Sequence, residues 1–75
     1  MTLWEDVQLL RELSEVCRKL IRCNELADFP GLARLRRALH NADMCVWQAN
    51  LNPEGMDWQV RLSLDELKEA FTGVA

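Results

Sequence analysis

The chain has 75 residues, 49% of them hydrophobic and 28% charged, with twelve acids against nine bases and a net charge of −3. That length holds one domain, residues 1–75, near the lower size at which a core alone stabilises a fold. The composition speaks against intrinsic disorder and against a membrane-spanning helix, and the acidic total is unlike that of a dedicated nucleic-acid binder.

Met1 to Asp6 carries neither the basic region nor the apolar run of a signal peptide, so a cytoplasmic location is expected. A first helix is predicted from about Leu3 to Arg22, opened by Thr2 with Glu5 three residues later, the spacing of a capping box. On a wheel of 100° per residue, Leu3, Val7, Leu9, Leu10, Leu13, Val16, Cys17, Leu20 and Ile21 fill an arc of roughly 180°. One neighbour cannot cover such an arc. The helix is therefore expected to pack against two elements, or against one element and a second copy of the chain.

Asn24 to Gly31 carries the break, with Asn24 as a C-cap and Asp28-Phe29-Pro30-Gly31 as a turn. A second helix is expected from Gly31 to about Ala42, burying Leu32, Leu35, Ala38, Leu39 and Ala42. Val46 and Ala49 would continue this stripe. An alternating pattern competes with them over the same residues. With Asn52-Pro53-Glu54-Gly55 as a type I turn, Leu51 meets Met56, Ala49 meets Trp58, Trp47 meets Val60 and Cys45 meets Leu62. All eight then share one face of a β-hairpin, and Val46, Gln48, Asn50, Asp57, Gln59 and Arg61 share the other. Ser63 with Glu66 forms a second capping box, opening a short helix from Leu64 to about Thr72 that Gly73 ends. The fold expected is α+β, in the order α-α-β-β-α with one antiparallel hairpin packed on helices; an all-α fold is the alternative.

Catalytic and metal-binding chemistry finds little support. There is one histidine and no tyrosine, and no pair among Cys17, Cys23 and Cys45 has C-x-x-C spacing, so the cysteines read as small hydrophobes rather than zinc ligands. No phosphate-binding loop is present. Neither an enzyme nor a cofactor is expected. Charge is unevenly spread: residues 1–30 sum to −2, residues 31–50 to +2 and residues 51–75 to −3. The basic excess of Arg34, Arg36 and Arg37, with His40, is the candidate partner-binding site.

Two partial outlines resemble known modules. Glu25-Leu26-Ala27 with Leu32 to Leu39, followed by the hairpin, is similar to the helix-turn-helix and wing of a winged-helix module. Trp58-Gln59-Val60-Arg61-Leu62-Ser63 with Asp65-Glu66-Leu67 resembles the strand and first helix of ribbon-helix-helix repressors. Neither covers the whole chain, and no family is assigned. The function expected is a small non-enzymatic protein-binding module, a regulator, adaptor or inhibitor of a larger protein machine. It would act as a homodimer or in a stable complex with another protein, for which the hairpin's open edges are a further invitation. A phage or bacterial accessory protein fits the size and acidity. The alternative is a DNA-binding transcriptional regulator that uses helix 31–42 and the hairpin.

Overall fold

The computed structural model describes residues 2–23 and 31–74, and these form three helices: α1 Leu3–Cys23, α2 Leu32–Leu51 and α3 Asp57–Val74. Each helix packs on the other two. Arg18 of α1 reaches Asp43 of α2, and Arg34 of α2 reaches Glu69 of α3, so the chain runs up, down and up. The bundle measures 39 × 18 × 15 Å. Its long axis is little more than one 20-residue helix, which spans about 30 Å.

The core follows from a step of three and four residues repeated in every helix. In α1 the seam is Leu3, Val7, Leu10, Ser14, Cys17 and Ile21; in α2 it is Leu32, Leu35, Leu39, Ala42, Val46 and Ala49; in α3 it is Val60, Leu64, Leu67, Phe71 and Val74. That repeat keeps one side of each helix turned towards its neighbours along the whole length. Ala38, Ala42 and Ala49 are all buried, and these small side chains let α2 sit close to its partners. At the start of α1, the Glu5 amide donates to Thr2 Oγ1 at 3.2 Å and the Asp6 amide to the Thr2 carbonyl at 3.2 Å, so Thr2 is the expected cap. The wide arc of α1 is used as expected, against both other helices, but Leu9 and Val16 at its edge stay 40% and 48% exposed. The proposed break at Asn24 to Pro30 lies outside the described residues.

The α+β expectation is overturned: among the described residues there is no strand. α2 runs on past Ala42 to Leu51, and α3 begins at Asp57 rather than Leu64, with Ser63 inside it instead of capping it. The helix also continues through Gly73 to Val74. The hairpin's eight-residue face divides in two. Cys45, Ala49, Met56 and Val60 are 8% exposed or less, while Trp47, Leu51, Trp58 and Leu62 are 43% to 71% exposed. Each half consists of pairs four residues apart, a spacing that a strand and a helix both place on one side. The winged-helix outline loses its wing and the ribbon-helix-helix outline its ribbon. No open strand edge remains among the described residues to invite a partner.

Residues 52–56 turn the chain between helices. Pro53 bars a helical conformation at the residue before it, and Asn52 takes φ −149° and ψ 86°, closing α2 with its amide donating to the Gln48 carbonyl at 2.8 Å. The Met56 amide then donates to the Pro53 carbonyl at 3.1 Å, with Gly55 at φ +77° in the third position. A glycine with positive φ there is the mark of a type II turn, one residue later than the expected type I turn. The Met56 carbonyl accepts from the Val60 amide at 2.9 Å and so opens α3.

Two polar groups are carried into the interior. Asp6 is 4% exposed and lies 3.5 Å from Arg61 Nη2, which ties α1 to α3. Ser14 occupies a seam position at 1% exposure, and its Oγ has no hydrogen-bond partner among the described residues.

Candidate functional site

The bundle leaves its largest apolar side chains outside. On α2, Met44 and Leu51 stand two turns apart on one stripe and are 43% and 66% exposed, while Trp47, 58% exposed, follows Asp43 by one turn and so lies at the α1 edge of the helix's outer side. On α3, Trp58 and Leu62 stand one turn apart. Met44, Trp58 and Leu62 line one shallow depression of about 330 Å³ between the two helices, together with uncharged Asn41, Gln48 and Gln59 and, at its far edge, Glu66. The end of the α2/α3 face beside the 52–56 turn is apolar with neutral polar groups at its centre, and Glu66 begins the charged end.

The other end is charged, and the sign follows the helix. Arg34 and Arg37 of α2 border a second depression with Glu66 and Glu69 of α3. Arg34 Nη2 lies 3.4 Å from Glu69 Oε2 with both side chains well exposed, a geometry that contributes well under 1 kcal/mol. No ion pair involves Arg37 or Glu66 among the described residues. His40 is exposed one turn before Met44 and so heads the apolar stripe. Two other charges of these helices turn to α1: Asp43 goes to Arg18 and Arg61 to Asp6. Lys68, seven residues beyond Arg61, shares the α1 side of α3.

The four predicted site residues therefore part company. Arg34 and Arg37 lie on the α2/α3 face, Arg36 turns to α1 and lines a depression with Arg18, Ile21, Arg22 and Leu39, and His40 is exposed between the two and lines neither. A wheel places Arg36 about 160° from Arg34. Within the α1/α2 group, Arg18 is already neutralised. Its guanidinium holds both Asp43 carboxylate oxygens at 2.9 Å and Glu15 Oε1 at 3.3 Å, and the Asp43 hydrogen bonds above all raise its pKa.

Among the described residues, no three His, Cys, Asp or Glu side chains gather as a metal site. Cys17 and Cys45 are buried and Cys23 is exposed. Burial pushes the Cys17 thiol pKa up against a smaller opposing pull from Arg18, which suits a packing residue and not a nucleophile. No described helix is long and apolar enough to cross a membrane.

The sequence reading placed Trp47, Leu51, Trp58 and Leu62 under the helices and so missed them as surface residues. The signal that finds them is the unbroken three-four seam from Leu32 to Ala49, which passes by Trp47 and Leu51. Comparison of the chain with protein-family models, with curated proteins and with solved structures finds no match in any of the three.

Proposed function

We propose that this chain is a non-enzymatic protein-binding module, a small regulator, adaptor or inhibitor that works in the cytoplasm by occupying a protein surface with its α2/α3 face. The observation that carries this reading is the exposed apolar strip of that face: Trp58, Leu51, Met44 and Leu62 are 71%, 66%, 43% and 43% exposed. Tryptophan is normally well covered in a free-standing fold, and it is over-represented among the residues that supply most of the binding energy at protein interfaces. At the 150–250 Å² an aromatic side chain carries, Trp58 alone exposes on the order of 140 Å². Met44, Leu51 and Leu62 bring the patch to roughly 400 Å², the size of the largest apolar patch of a typical monomer.

A photo-activated crosslinking residue placed at Trp58 or Leu51 tests this in cells of the native host, with Lys19 on the outer face of α1 as the control position. The expected result is a discrete protein adduct from positions 58 and 51 and none from 19. Absence of adducts, or the same pattern from all three positions, would remove the α2/α3 face as a binding surface.

A further inference from the structure

We propose that the protein bound by the α2/α3 face is a second copy of this chain, held in a parallel two-fold dimer; this deepens the protein-binding reading and rests on it. The argument is self-complementarity. Along the helices the face is divided into an apolar end, with Met44, Leu51, Trp58 and Leu62, and a charged end. Across the groove the charged end is divided again, bases on α2 and acids on α3.

A two-fold axis running along the groove satisfies both divisions at once. It lays α2 of one copy over α3 of the other, setting Met44 and Leu51 against Trp58 and Leu62 and the Arg37 side against the Glu66 side. Each contact then occurs twice, as an isologous interface requires. An axis across the groove would instead press Trp58 of one copy onto the charges of the other. Arg37 and Glu66, neither of them in an ion pair within the chain among the described residues, find their opposite charges in the second copy. The size also fits: roughly 400 Å² of apolar patch, joined to its charged rim, makes up a large part of the ~800 Å² that each partner buries in a stable interface. A different protein would have to reproduce a pattern that the chain already carries in complementary form.

The test is the mass of the full chain in solution, by light scattering and sedimentation from low micromolar to submillimolar concentration. The wild type is expected at twice its 8.7 kDa. Trp58→Glu and Leu51→Lys, both at well-exposed positions, should stay monomeric with an unchanged helical circular dichroism spectrum. Arg37→Glu and Glu66→Arg should each weaken the dimer by roughly two- to thirtyfold, since each removes the same rim ion pair twice, and the double exchange should restore it. A dimer that survives both Trp58→Glu and Leu51→Lys would place the contact elsewhere. Failure of the double exchange to restore what the single exchanges lost would overturn the parallel arrangement. A wild type that remains monomeric while position 58 still crosslinks to another protein would remove the second copy as partner and leave the binding reading intact; loss of both results would remove both.

Discussion

The interior of this bundle and its α2/α3 face are built from different side chains. The interior is aliphatic and small, with Leu10, Leu35, Val60 and Leu67 fully enclosed among alanines and cysteines, and it holds no tryptophan. The face carries Trp58 together with Met44, Leu51 and Leu62. In a chain this short, that division separates folding from association. Residues that hold the helices together are not those that would meet a partner, so substitutions should act on one property and spare the other.

The largest expected effect lies inside. Leu67→Ala should cost about 2–5 kcal/mol by opening a cavity at a site with no exposure. Against a total of roughly 4–11 kcal/mol from the usual per-residue average, that is a large share, and urea unfolding would register it directly. Gly55→Ala comes next, at about 1–2 kcal/mol, because a Cβ is strained at φ +77° although space around it is open. Ser14→Ala should move the other way and raise stability by about 1 kcal/mol, since it removes a buried hydroxyl that has no partner among the described residues and improves helix propensity. The smallest effect belongs to the face: Trp58→Ala should change unfolding by no more than about 0.5 kcal/mol at a concentration where the chain is monomeric. A loss comparable to that of Leu67→Ala would break the division between the two regions.

Much of the fold was legible. Thr2 before a well-sorted amphipathic run located α1, and the width of its apolar arc correctly demanded two neighbours. The first half of α2 and its buried residues were equally clear. What misled was the segment from Cys45 to Leu62, where pairs four residues apart satisfy the alternation of a strand and the turn of a helix alike. Asn52-Pro53-Glu54-Gly55 did not decide between them, because the same residue types that close a hairpin also close a helix and reverse the chain. The continuous three-four seam from Leu32 through Ala49 was the better guide, since a hairpin starting at Cys45 has to abandon it.

The candidate site was less legible, for a related reason. Arg34, Arg36, Arg37 and His40 are close in sequence, but one turn of helix spreads them around the axis, and Arg36 ends on the α1 side. Clustering by sequence identified a basic segment without identifying a surface. The face emerges only when α3 supplies Glu66 and Glu69 opposite Arg34 and Arg37.

The five residues between α2 and α3 have a consequence for the order of folding. A loop that short closes at little entropic cost, and the contacts it permits are near in sequence, the kind that form quickly. α2 and α3 should therefore meet before α1 docks on them. Changes at Gly55 would then slow the folding reaction, while changes in α1, such as Ser14→Ala, would act mainly on the rate of unfolding.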